Sequence, residues 1–320
     1  MSQYDLKDAI SEHMPFIDEL LQKMNVPIFN RYMRASYIFV DVAVIDSSFE
    51  TKDELLKSKA FFEHIIPPIN DWYWDKYGEL AKNPTSRVFS GIVTPYGQPI
   101  SVKIPATISS VEVPNETARL IFPDCLQENE SMNSMLQIPV KWDKLTEEEK
   151  NDLSSEFHDV VSMTRSINLN IMSITGLDEE TLNMARGIWS HFEKSILDIL
   201  SFQNHQASIG CWELHLAIEK TLKVYLKQVS GNRPYGHDLN EISKKVKTYD
   251  PDLDLSIIPL LPSDKSAIKL RYSELVTNIG EAVEYYKRAL VLVSQVTNKL
   301  SRKYCLNNAS VLLKKAPWAK

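Results

Sequence analysis

Histidine, arginine and lysine carry most of the chemistry this chain could perform, and they concentrate between residues 211 and 250. Arg233-Pro-Tyr-Gly-His237 places a guanidinium and an imidazole in one short loop. His237 could act there as a general acid or base while Arg233 stabilises charge on a phosphate. Lys220, Lys223 and Lys227 precede that loop, and Lys244, Lys245 and Lys247 follow it, against only Asp238 and Glu241. Clustered cations of this kind can meet phosphates, and the helix opened by Asp238 adds backbone N–H groups nearby. The competing reading is a solvated basic face, with His237 packed at a helix entrance. Glu219 falls near an apolar stripe of Leu216, Leu222 and Leu226, where a carboxylate needs a partner. Lys223, one turn on, supplies one as a surface i,i+4 pair. The alternative is a polar pocket inside a bundle that uses Glu219, His215 and Arg271.

The segment CWELHLAIEKTLKVYLKQVSGNRPYGH, running on into Asp238-Leu239, resembles the HEPN domain, a helical bundle whose members show an A-x-E-K-x-L-K type helix followed by H-D-L. An Arg-Tyr pair often opens the last long helix of that family, and Arg271-Tyr272 stands in its place. The resemblance covers about residues 180–300. It implies a four- or five-helix bundle that pairs as a homodimer and binds a nucleotide or RNA, plausibly within a stress or phage-defence module. The residues it points to are Lys220, Lys223, Lys227, Arg233, His237, Asp238, Arg271 and Tyr272. Many members are ribonucleases with arginine and histidine four to six residues apart. Arg233 and His237 have three residues between them, and their place before Asp238-Leu239 is closer to the non-nuclease His-Asp-Leu subgroup. An RNase toxin using Arg233 and His237 is therefore one alternative, and a non-catalytic dimerisation module another.

Other constellations point to less. Arg186-Gly-Ile-Trp-Ser-His191 meets the four-residue spacing, but residues five apart on one helix point about 140° from each other. Trp72, Tyr73, Trp74 and Tyr77 could stack bases, although aromatics at helical spacing read first as core. The remaining histidines, His13, His64, His158 and His205, show no metal-ligand spacing with carboxylate or cysteine, so neither metal nor cofactor is expected. Glycine-rich phosphate loops, Gly-x-Ser-x-Gly elbows and His-Glu-x-x-His pairs are absent from the sequence.

The elements that must position these residues divide the chain into an α+β domain with a small antiparallel sheet over 1–170, a helical bundle over 178–300, and a basic tail over 301–320. Residues 4–24 carry a helical stripe, with Pro15 opening a second segment. Residues 37–45, rich in β-branched and aromatic side chains, read as a buried strand. Thr51 caps a helix that must stop before Pro67-Pro68, and a further helix follows over 69–81. Residues 87–123 read as a hairpin continued as a meander whose strands end at Pro105, Pro114 and Pro123. Residues 127–134 read as loop, 136–140 as an added strand, and Thr146-x-x-Glu149 opens a helix to about residue 167. Apolar steps of three and four predict one helix over 182–203 and another of eight or more turns over 268–300. Between them lie a helix over 211–229, a shorter one opened by Asp238, and a proline-rich loop over 250–263 whose apolar content predicts that it packs down.

With 320 residues, 43% hydrophobic, the chain is long enough for two cores. A formal net charge of -6 argues against a general nucleic-acid coat. Three widely separated cysteines do not form a disulfide framework and suggest a reducing cytoplasm. The first residues lack a secretory leader's basic start and apolar centre, and the apolar runs fall short of a membrane span.

Overall fold

The structure, a computed structural model, describes residues 5–82, 87–114 and 116–316. Tyr4, at the start of the expected first helix, and Lys320 of the basic tail lie outside them. The fold is mixed α and β, with helices and two small antiparallel sheets. By packing, the chain divides into Met1–Thr85 with Val111–Ala118 and Leu312–Lys320, and Ser86–Ser110 with Arg119–Val311. The main division therefore falls near residue 85 and not near 170.

In the first unit, α1 (Leu6–Lys23) begins at a capping box of Asp5 and Asp8 and buries Ile10, Met14, Ile17 and Leu21 on one face. Pro15 lies inside this continuous helix and does not start a new one. The expected strand at 37–45 is instead the second half of α2 (Ile28–Ala43), which buries Ala35, Ser36, Phe39 and Val40. Those positions recur at helical steps, whereas Tyr37 and Val42 are exposed. Pro27 precedes the helix, and the Ser36 hydroxyl donates back to Tyr32 O at 2.8 Å. Thr51 caps α3 (Lys52–Lys57) through Glu54 N. A π-helical turn then runs into α4 (Ile66–Tyr77), where Pro67 and Pro68 occupy first-turn positions, at which an N–H has no acceptor within the helix. Asp18, buried in this core, accepts from Arg31 at 3.0 Å, Lys76 at 2.8 Å and Tyr77 at 2.6 Å. Burial opposes its charge, yet these bonds outweigh it and hold the carboxyl below its ordinary value. Tyr73 is core, stacked on Tyr77, and Lys76 covers the Trp72 ring.

In the second unit, β1 (Val88–Val93) and β2 (Ile100–Pro105) form the expected hairpin, antiparallel from Val88↔Pro105 to Val93↔Ile100. Five consecutive β1 residues are buried, because helices take the place of water around this strand. A Cβ on Gly91 would lie 2.6 Å from Val160 Cγ1, and Ile92 N–H donates to Tyr286 Oη at 3.3 Å. Phe89, Ile92, Val102 and Ile104 therefore share one core with the bundle. β3 (Ile108–Val113), β4 (Thr117–Phe122) and β5 (Ala309–Lys314) form the second sheet in that order, and residues 111–113, 117–118 and 312–314 of it are grouped with the first unit. The strand expected at 136–140 reduces to a single bridge between Leu136 and Val102, and the loop before it contains a helical turn, α5 (Met132–Met135).

The capping box of Thr146 and Glu149 opens α6 (Glu147–Met172). The helix expected over 182–203 is two, α7 (Glu179–Arg186) and α8 (Ile188–Ile199), divided at Gly187. α9 (Asn204–Ser230) ends at Gly231 in the left-handed region, and α10 (Leu239–Tyr249) is capped by Asp238. The segment 250–263 packs down through Leu253, Leu255, Ile258 and Leu261. The long helix expected over 268–300 is also two, α11 (Asp264–Arg271) and α12 (Ile279–Asn298). Ser273, at φ 55°, turns the chain between them, and Asn278 with Glu281 forms a new capping box. Among the described residues, no helix is long and apolar enough to cross a membrane.

Candidate functional site

α9 brings the polar groups together by spacing alone. Trp212, His215, Glu219, Lys223 and Lys227 follow steps of three, four, four and four, so they form one stripe on a 27-residue helix. Glu219 and Lys223 pair at 2.8 Å as expected, but the pair is buried, with side chains 7% and 11% exposed, and is not a surface one. The α9–α10 loop then lays His237 over Glu219, with Nδ1 3.0 Å from Oε2. A carboxylate only accepts, so Nδ1 carries the proton and donates. The His237 side chain is 70% exposed. Glu219 thus fixes one ring nitrogen of an imidazole whose other nitrogen is left for solvent or a ligand.

His215 lies beneath this pair, fully buried, with Nε2 donating to the His237 carbonyl at 3.3 Å. Its Nδ1 has no hydrogen-bond partner among the described residues. Burial pushes the His215 pKa below the ordinary histidine value, against the opposing pull of the bond to His237 O and of Glu219. The ring is therefore neutral near neutral pH. It stacks on Trp212 with centroids 5.7 Å apart and planes 9° apart. Arg271 in turn lies 5.6 Å above Trp212 and 5.4 Å above Tyr272. The alternative pocket of Glu219, His215 and Arg271 is thus a connected cluster, in which Trp212 is the link to Arg271.

The other expected residues sit apart from it. Arg233 pairs with Glu180 at 2.8 Å and Lys227 with Asp178 at 3.2 Å, so acids from the start of α7 take up both charges. Arg233 and His237 are each held by a different carboxylate, and the loop between them is not drawn into one catalytic pair. Lys244 pairs with Glu241, and Lys247 donates to Pro251 O. Asp238 caps α10, accepting from Asn240 N at 2.8 Å. Arg271-Tyr272 closes α11 and does not open the last long helix. Arg186 and His191 separate as well: Arg186 donates to Asn183, and His191 meets Glu213 at 2.7 Å.

Two aromatic residues unremarked in the sequence now matter. Trp212 was legible as the start of the polar stripe. Tyr235, between Arg233 and His237, is 97% exposed, which only the folded loop reveals. Cys125, Cys211 and Cys305 are free thiols, and burial pushes the Cys211 pKa up to about 12. Among the described residues, no group of three or more His, Cys, Asp or Glu could hold a metal ion.

No family model, curated protein or solved structure matches the chain.

Proposed function

We propose that the helical bundle binds a nucleotide or a short single-stranded stretch of RNA at the α9–α10 loop. One observation carries this reading: His237 is exposed while the buried Glu219 holds its Nδ1 at 3.0 Å. A ring oriented in this way presents Nε2 to a phosphate or hydroxyl without paying to order it on binding. Arg271, which has ring contacts and, among the described residues, no carboxylate partner, is the second phosphate contact. Tyr235 and Tyr272, 97% and 63% exposed, offer faces on which bases stack. The likeness of residues 180–300 to HEPN bundles supports the same ligand class and suggests pairing of two bundles. Because Lys223, Lys227 and Arg233 are already matched by acids, the phosphate footprint is small.

The test is fluorescence anisotropy of a short labelled single-stranded RNA, with a nucleoside triphosphate as competitor. Affinity should fall about tenfold in His237→Ala and in Arg271→Ala. The slope of log K against log salt should stay near -2, as about two or three phosphate contacts require. Absence of binding at low salt, or wild-type affinity in both variants, sinks the reading.

The Glu219–His237 dyad favours a second reading, metal-independent RNA cleavage with His237 taking the proton from a 2′-hydroxyl. Purified protein incubated with RNA decides it: cleavage by wild type that disappears in His237→Ala establishes the nuclease, and intact RNA leaves binding.

A further inference from the structure

Away from the α9–α10 loop, β1, α6, α7 and α8 enclose a cleft of ≈ 480 Å³, within the usual range of small-molecule sites. Its inner wall is core: Phe89, Ile167 and Trp189 are 1%, 0% and 4% exposed. Phe89 and Trp189 meet edge to face at 5.1 Å. The Trp189 N–H is already spent on Glu193 at 2.7 Å, so Trp189 contributes an apolar surface and no free donor. Ile171 and Leu182 extend the apolar lining.

The charged groups are all of one sign. Arg87 and Arg186 line the cleft, and among the described residues no aspartate or glutamate does. Arg87 lies 4.9 Å over the Phe89 ring, and Arg186 donates to Asn183 Oδ1 at 3.3 Å. Neither has a carboxylate partner among the described residues. Lys194, Lys223, Lys227, Arg233, Lys287 and Lys299, by contrast, are each paired with an acid. Two arginines without acids beside an apolar cavity leave uncompensated positive potential next to surface that water solvates poorly.

We propose that this cleft binds an amphipathic organic anion, its acidic head between Arg87 and Arg186 and its apolar body against Phe89 and Trp189. Planar guanidinium groups suit a bidentate carboxylate, sulfonate or phosphate head. The body is apolar and not sugar-like, because among the described residues of the lining Asn168 is the one uncharged polar side chain, and a single amide is too little to match a hydroxyl-rich ligand.

Anilinonaphthalene sulfonate, which has this architecture, serves as the probe, with the full-length protein. Its fluorescence should report one saturable site, displaced by decanoate and far more weakly by decanol. Arg87→Gln/Arg186→Gln should weaken the probe by at least about tenfold, the loss of one charged hydrogen bond. Leu182→Trp, which fills the cavity and keeps both arginines, should abolish the saturable signal while circular dichroism stays unchanged. Equal displacement by decanol and decanoate, undiminished binding in the double arginine variant, or absence of a saturable site overturns the proposal.

Discussion

Glu219 is the residue on which the candidate site turns, because it accepts from two donors at once: Lys223 at 2.8 Å and His237 at 3.0 Å. Replacing it by leucine leaves the Lys223 ammonium buried without a counter-charge, and such one-sided breaks cost about 3–5 kcal/mol. Removing both members costs much less, since no charge is then stranded. Glu219→Leu should lower the urea midpoint markedly, and Glu219→Leu/Lys223→Leu should recover most of the loss at pH 7. A double variant no more stable than the single one would show that the carboxylate matters for another reason. The pairing of Glu219 with Lys223 was legible in the sequence as an i,i+4 step. Its burial was not, because that depends on His215 and the returning α9–α10 loop, which lies 18 residues away at His237. Arg233 illustrates the converse. It reads as a phosphate contact in the sequence, and Glu180, distant in sequence, claims it in space.

At the scale of elements, caps were legible and apolar runs were ambiguous. Thr51, Thr146 and Asp238 open helices where their side chains predict. Residues 37–45 misled because β-branched and aromatic side chains also suit a helix packed on two others, and the exposed Tyr37 and Val42 made the run look continuous. The break before α12 was written as Asn278-x-x-Glu281, a capping box masked by an apolar step that carries on across it. The hairpin was visible as a hairpin, but its burial among helices was not, and Gly91 is the residue that permits it. A methyl group there meets Val160 Cγ1 at 2.6 Å and Ile104 Cδ1 at 3.1 Å, both on packed neighbours. Gly91→Ala should therefore destabilise by about 1–3 kcal/mol, despite the entropy it removes from the unfolded chain. Because the nearest atom belongs to Val160, adding Val160→Ala should relieve part of that cost. Strict additivity in denaturation measurements would refute the close approach.

At the scale of the whole molecule, all but two of the buried hydrophobic residues, Leu169 and Ala267, fall into two clusters that do not share a member. One runs from Ile10 to Ala81 and the other from Phe89 to Leu300. The sequence showed a change of pattern near residue 87 but also suggested that the strands beyond it belonged with the first helices. The deciding fact, that Phe89 and Ile92 pack on α6, α8 and α12, is a long-range contact that periodicity does not encode. Charge behaved in the same way: the basic surplus over 220–247 is real along the chain and is reduced in space where Glu219, Asp178 and Glu180 answer Lys223, Lys227 and Arg233. Separate cores imply separate folding. Val111–Ala118 and Leu312–Lys320 group with the first unit, yet among their described residues none belongs to its buried cluster. A polypeptide of residues 5–82 should therefore show helical circular dichroism and a cooperative urea transition. Its stability should be only about 3–5 kcal/mol, since a chain this short buries a small fraction of its surface. Residues 87–316 alone should keep the RNA affinity of the full chain, because every group proposed to touch the ligand lies within them. A non-cooperative transition in the shorter piece would mean that its core is completed by the rest of the chain, and lost affinity in the longer one would place part of the binding surface before residue 87.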